Sequence, residues 1–519
     1  MKKILILLLC AAMLTGCAAS PGEAGRPAVK IPQPRLDDEI IDIDLLENDI
    51  SAGSGVHVSR DIVYYEEKTE YESGNPYGEG ESWEMHSAEE AAEHLVVCIT
   101  EPGTYRVSGK LEKGQIRVDL GEDAAEDPHA VVNLILDGAD ITCTVAPAIL
   151  FQNVYECDGD WSVDTAHPDV DTAAAGANLI LAEGSRNIVN GSHVAKIYKD
   201  KDGEKKLWKQ DGAIYSYMSM NVFGPGSLDL YADNEGLDTE LHLTICGGDI
   251  NIFADNDGIN TNEDGVSVTT ILDGNLHILA GLGAEGDGID SNGYLVIRGG
   301  TVVSCANPAS DAGLDSDKGS YIHGGTVIAL GSTMDWAESD SDQVTMNLQF
   351  AQMQGVGSDI RVIKEDGTEV FSYDPMADQV LSEGLRRSYM GAVISCPAFA
   401  VGDTYQIYVG DTRMAYTGTD VMRHPGPMGD FGGEKPEGME FGTDRQPPQG
   451  DRKEPPEGMD SPPDGWTMPS MPDGQMPVPP QGQEKPQGFG DFSAQQGQAQ
   501  SLFYMQDKVN FFSGLTPAE

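Results

Sequence analysis

Between Gly226 and Ser332 apolar and polar residues alternate in short bursts: Leu228/Leu230, Leu241/Leu243/Ile245, Ile250/Ile252, Leu276/Ile278, then Val302 and Val327. Period two over a few residues, bounded by Gly and Asn/Asp, predicts short strands joined by turns. A phrase recurs in step with the bursts: Glu235-Gly236-Leu237-Asp238-Thr239, Asp257-Gly258-Ile259-Asn260-Thr261, Asp287-Gly288-Ile289-Asp290-Ser291 and Ala312-Gly313-Leu314-Asp315-Ser316. A degenerate copy, Asp211 to Ser216, precedes them. A second marker (Gly247-Gly248, Asp273-Gly274, Gly299-Gly300, Gly324-Gly325) keeps the same register. Two markers at one period of a few tens of residues predict a repeat architecture. Several short strands per repeat predict a parallel β-helix, each coil pairing with the next over a shared core. The glycines are expected to supply positive φ at the corners.

Stacking gives the acids a meaning. Equivalent positions of adjacent coils sit about 4.8 Å apart. Asp238, Asn260, Asp290 and Asp315 then form one ladder, and Glu235, Asp257 and Asp287 a second, with Asp311 entering near the fourth coil. Carboxylates at that spacing repel, which raises their pKa values. A hard cation relieves the repulsion, and calcium takes six to eight oxygens of the kinds present here. The expected cofactor is therefore calcium. The alternative is that Asp and Asn are corner residues bonded to their own backbone.

Upstream, Thr100–Gly109, 115–118, 131–138, 146–151 and 178–187 read as strands of less regular coils, and 89–93 as a short helix. Residues 359–363, 370–373, 392–395 and 404–409 have another texture and read as a small antiparallel sheet capping the open end. Residues 423–500 hold more than half of the chain's 29 prolines and read as a disordered insertion. The strand-like residues of 501–519 are expected to return to the cap. The expected division is therefore 17–55 tether, 56–95 acidic N-terminal segment, 96–335 β-helix, 336–422 cap, 423–500 insertion and 501–519 returning strand.

Residues 1–16 have the form of a signal segment. A basic start (Lys2, Lys3) leads into an apolar run too short to span a bilayer, ending in Leu14-Thr15-Gly16-Cys17. That box resembles the processing site of bacterial lipoproteins, which implies a lipid on Cys17 and anchorage to the extracellular face of the membrane. Asp+Glu of 85 against Lys+Arg of 32 gives a net charge of −53. Such a field repels nucleic acid and attracts divalent cations. The six cysteines after Cys17 form no CxxC pair, so a zinc site is not expected, and several sit in apolar strands as buried thiols.

The Thr100–Gly109 run, the Asp-Gly-Ile-Asp-Ser repeats, the strands Gly299-Gly300-Thr301-Val302 and Gly324-Gly325-Thr326-Val327, and the phrase Gly402-Asp403-Thr404-Tyr405 resemble the carbohydrate-binding β-helix family of bacterial surface proteins. The resemblance covers roughly 96–420. It implies an all-β fold, a right-handed parallel β-helix similar to pectate-lyase-type polysaccharide lyases, with calcium in the helix. It also implies binding of cellulose- or polygalacturonate-type polysaccharide. Binding without catalysis is the expected function. A calcium-dependent lyase and a structural adhesin are the alternatives. For a lyase, Arg298 and Lys318 flank the repeat as candidate bases. Trp161, Trp208 and Trp336 could each be core, loop or sugar platform. Lys196, Lys199, Lys201, Lys205, Lys206 and Lys209 cluster around Asp202-Gly203, as a solvated hairpin or a hold on an anionic sugar. Gly281-Leu282-Gly283-Ala284-Glu285-Gly286 leads into strand-forming residues, so it is no nucleotide site.

Overall fold

The computed structural model describes residues 32–37, 39–46, 49–65, 85–159, 161–198, 207–332, 335–375, 387–419 and 499–518. The expected signal segment, Cys17, the Asp202-Gly203 turn and the Pro-rich stretch to 498 lie outside them, as do the side chains of 196–198, 207 and 208. Among the described residues the chain is all-β. Helix is confined to Ala88–Ala91, capped by the Ser87 hydroxyl, and to a 3-10 turn at Ala124–Glu126.

Three columns of parallel strands carry the repeat. The first runs through 103–107, 132–136, Ala177–Leu181, Met220–Phe223, 242–245, 268–271, Tyr294–Ile297 and Gly319–Ile322. The second runs through 109–111, 139–142, Arg186–Gly191, Ser227–Ala232, 249–254, 275–279, Thr301–Cys305 and Thr326–Gly331. The third runs through Leu95–Ile99, Gly114–Asp119, Ile149–Asn153, Gly212–Ser216, Glu235–Thr239, Ile259–Thr261 and Ile289–Ser291. From Gly212 onward each pass of the chain visits third, first and second column in that order.

The alternation explains the packing. Ile245, Ile271, Ile297 and Ile322 stack in the first column, and Leu228, Ile250, Leu276, Val302 and Val327 in the second. Leu237, Ile259, Ile289 and Leu314 stack in the third. All are fully buried in one cluster. Each such side chain contributes about 1.5–3 kcal/mol on burial.

The two glycine markers serve different purposes. Gly248, Gly274, Gly300 and Gly325 have φ of 108°, 107°, 76° and 88°, a region open to glycine. Gly236, Gly258 and Gly288 do not have positive φ, contrary to expectation. They are required because successive passes touch. A Cβ on Gly258 would lie 2.2 Å from Ile278 Cγ2 and 2.6 Å from the Gly288 carbonyl oxygen.

Residues 40–59 differ from the expected tether. Ile40–Leu46 pairs in parallel with the 104–110 strand, Asp49–Ala52 pairs back on it, and Val56–Ser59 edges the third column. Ile43 and Leu45 are buried while the intervening acids face out. The acidic residues mask a period-two strand. At the other end, Tyr389–Ser395 pairs antiparallel with Thr326–Gly331 and covers its edge. Thr345–Gln354 lies beside it and pairs in parallel with Val509–Pro517. Ile360–Lys364, Glu369–Tyr373, Thr404–Val409 and Phe503–Tyr504 form an adjoining antiparallel sheet. Cys98, Cys143, Cys157, Cys246, Cys305 and Cys396 are free thiols. Burial pushes Cys143 and Cys246 up to about 12. No helix among the described residues is long and apolar enough to cross a membrane.

Candidate functional site

The acid corner lies on the third column. The parallel register sets Asp238 beside Asn260 and Asn260 beside Asp290. Asp315 continues the row, its backbone bonded to Ile289 and Ser291. The second row behaves differently. The Asp287 N–H donates to Asp257 Oδ1 at 2.6 Å, and the Ala312 N–H donates to Asp287 Oδ1 at 2.5 Å. Each carboxylate thus accepts the amide of the following pass. Asp311 stands one residue out of register, because Ala312 holds the equivalent place. Asp311 Oδ2 accepts the Gly286 N–H instead, at 2.8 Å. The second row is thus bonded to backbone, but to that of the next pass and not to its own.

A third polar row escaped the sequence reading: Glu240, Asn262, Asn292 and Asp317, two residues beyond the first row. Asn262 Nδ2 donates to Asp238 Oδ1 at 2.7 Å, and Asn292 Nδ2 donates to the Asn262 carbonyl at 2.8 Å. Its signal was present in the period itself, since each repeat phrase is followed by a polar residue. Lys209, read with the basic hairpin, belongs instead to the acid corner. Its ammonium lies 2.7 Å from Asp211 Oδ2 and 3.2 Å from Asn262 Oδ1. Asp211 opens the degenerate repeat copy, but Lys209 reaches it from a pair of antiparallel strands outside the columns.

The electrostatics follow from this crowding. Burial first, then repulsion from Asp238 and Asp211, pushes Glu235 well above the usual carboxylate range. Burial does the same to Asp238 and Asp257. Burial and the neighbouring Asp315 raise Asp287 to about 9 and Asp290 to about 7. Burial works against the charge on Lys209, but Asp211, Glu235 and Asp238 together outweigh it and hold the ammonium protonated. A divalent ion is therefore not the sole device that makes this edge tolerable. Lys209 and the backbone amides carry part of the compensation.

Part is left over. Glu235 Oε1 and Asp238 Oδ1 accept bonds from Asn260 and Asn262. Glu235 Oε2, Asp238 Oδ2 and Asn260 Oδ1 are buried without a hydrogen-bond partner. An orphaned buried acceptor costs about 1–3 kcal/mol, more for a charged group. Two carboxylate oxygens and an amide oxygen are a donor set suited to a hard cation. Among the described residues no three His, Cys, Asp or Glu side chains converge as a ready metal cage.

The remaining candidates are elsewhere. Arg298, a candidate base, is mostly buried and ion-paired with Asp169. Lys318 is exposed at the rim and acts electrostatically on Asp317. Trp336 is no sugar platform: it is 9% exposed, edge-on to Phe511 in the core. Trp161 is half-buried and donates its indole N–H to the Asp158 carbonyl. The Trp208 side chain lies outside the described residues.

A family model described as "carbohydrate-binding domain-containing protein" matches residues 93–159 and 162–376. A protein of the same description from Acetivibrio thermocellus is 31% identical over 155 residues, which are 30% of this chain and 43% of that protein. The chain thus spans less than half of that relative's length. The solved structure of a polysaccharide lyase-like protein from C. thermocellum, a gadolinium derivative, is 24% identical with a TM-score of 0.34. That match covers 55% of this chain and 93% of the other.

Proposed function

The chain belongs to the family of carbohydrate-binding domain-containing proteins, and from that premise we propose that it is a non-catalytic, polysaccharide-binding lipoprotein of the cell surface. The family match over more than half of the chain carries the reading. The scaffold we propose is a right-handed parallel β-helix, supported by the three parallel columns that successive passes build in register. Anchorage through Cys17 is supported by the signal-like start of the chain. Calcium is the proposed structural ion. Glu235, Asp238 and Asn260 would hold it, and it would supply positive charge to oxygens that otherwise need a proton or stay unpaired.

Binding is favoured over lyase chemistry by the state of two of the basic groups, Lys209 and Arg298. Lys209 is held protonated by its carboxylates and Arg298 is engaged by Asp169. A proton abstractor needs a free lone pair within reach of substrate. The test is depletion of the full chain from solution by insoluble polysaccharides, with absorbance read for unsaturated uronate in soluble polygalacturonate plus calcium. Depletion without product supports the reading. Product formation replaces it with a lyase, and neither signal replaces it with a structural adhesin.

A further inference from the structure

The outward side of the second column carries an array unrelated to the acid corner. In-register pairing places Ile188, Asp229, Asn251 and His277 in one row, and Asn190, Tyr231, Phe253 and Leu279 in the next. Toward the C-terminal passes the rows turn apolar, with Val303, Ile328, Cys305 and Leu330, and join the core of the cap. Toward the N-terminal passes they open to solvent: Tyr231 is 43% exposed and the Arg186 side chain 76%.

The tyrosine is pre-set. Its ring stacks on Phe253 with centroids 5.0 Å apart and planes 14° apart. The register puts Asn190, whose Nδ2 donates to Thr142 Oγ1 at 3.3 Å, on the opposite side of Tyr231 from Phe253, and Tyr231 stands partly exposed between them. The neighbouring polar groups are locked in a chain. Arg186 donates Nη2 to Asp229 Oδ2 at 2.8 Å, Asn251 Nδ2 donates to Asp229 Oδ1 at 2.9 Å, and His277 Nδ1 lies 3.2 Å from Asn251 Oδ1. Planar groups held at fixed angles beside an aromatic face lose little entropy when a ligand arrives.

We infer that this face is the polysaccharide-binding surface, a deepening that rests on the carbohydrate-binding reading above, and that its ligand is an uncharged, flat polysaccharide strand. A pyranose ring packs on the exposed part of the Tyr231 ring, and its hydroxyls bond to Arg186 and Asn190. Three strands, from 139–142 to 227–232, span about 10 Å at 4.8 Å per step before Phe253 and Leu279 pass into the core of the cap, room for about two sugar units. Charge decides the class. Arg186 is already paired with Asp229, and Lys110, on the strand beside 139–142, lies 3.3 Å from Asp140. Asp249 on the same face is exposed. Among the described residues of these rows no surplus cation is left for a uronate, and the whole chain carries −53.

The experiment is affinity electrophoresis of the full chain in hydroxyethyl cellulose and, separately, in polygalacturonate. The variants are Tyr231→Ala, Tyr231→Phe and, as a control, Tyr504→Ala in the cap sheet. Wild type is expected to be retarded by the uncharged polymer. Tyr231→Ala is expected to bind roughly tenfold more weakly. Tyr231→Phe, which keeps the ring, and Tyr504→Ala are expected to bind as wild type. Wild-type retardation that survives Tyr231→Ala overturns this face and leaves the carbohydrate reading standing. Stronger retardation in polygalacturonate overturns the ligand class. Retardation in neither polymer, with no depletion by insoluble polysaccharide, removes both.

Discussion

Lys209→Met removes the ammonium that the acid corner is folded around. In wild type Nζ lies 2.7 Å from Asp211 Oδ2, with the two side chains 27% and 16% exposed. Taking one partner from a buried pair costs about 3–5 kcal/mol, because the other charge stays buried and uncompensated. The partial exposure of Lys209 places this site toward the lower figure, about 3 kcal/mol. Asp211→Asn alone costs less, since Glu235 and Asp238 still act on Lys209. The double variant is expected to be at least 1 kcal/mol more stable than the sum of the single losses predicts. The assay is urea unfolding of the full chain in the presence of chelator, so that no divalent ion substitutes for the lysine. A Lys209→Met loss within about 0.5 kcal/mol of zero, or single effects that add within that margin, would refute the reasoning.

Other consequences are open to the same instruments. Gly258→Ala forces a methyl to 2.2 Å from Ile278 Cγ2 and is expected to cost about 1–3 kcal/mol or more, whereas Gly159→Ala, with nothing within 4 Å, is expected to be neutral; equal midpoints would contradict the contact between passes. His94 is buried, accepts the Thr144 N–H at Nε2 and lies with Nδ1 3.0 Å from the Glu90 carbonyl, so burial lowers its pKa and keeps it neutral. Since the unfolded chain then binds the proton more readily, this contribution is whole above about pH 6.5 and declines as pH falls toward the lower folded value, at up to about 1.4 kcal/mol per unit. Comparing the melting temperatures of wild type and His94→Gln from pH 7 to 5 checks it, and parallel curves would sink it.

The strands between Gly226 and Ser332 were legible because alternation, corner phrase and glycine marker share one period. The row Asp238, Asn260, Asp290 followed from that period alone, since parallel register transmits sequence spacing directly into space. What the period could not convey was covering. Lys209 reaches the acids from a pair of antiparallel strands outside the columns, and its distance to Asn262 is a tertiary fact. Core, loop and platform were equally open for Trp336, because its partner Phe511 comes from the far end of the chain. The 40–59 strands were hidden by acids that face solvent while Ile43 and Leu45 face the core. Repeat position was also no guide to glycine's purpose: Gly258 and Gly274 recur together, yet one is needed for contact and the other for φ.

Calcium titration into chelator-stripped full chain, followed by calorimetric melting, bears on the acid corner most directly. Calcium is expected to raise the melting temperature in a concentration-dependent way, as a ligand of the folded state alone must. The rise should vanish in a Glu235→Gln, Asp238→Asn double variant, which removes the charge while keeping the shape. A melting temperature that is the same with chelator and with saturating calcium would contradict the claim that those orphaned oxygens form a cation site.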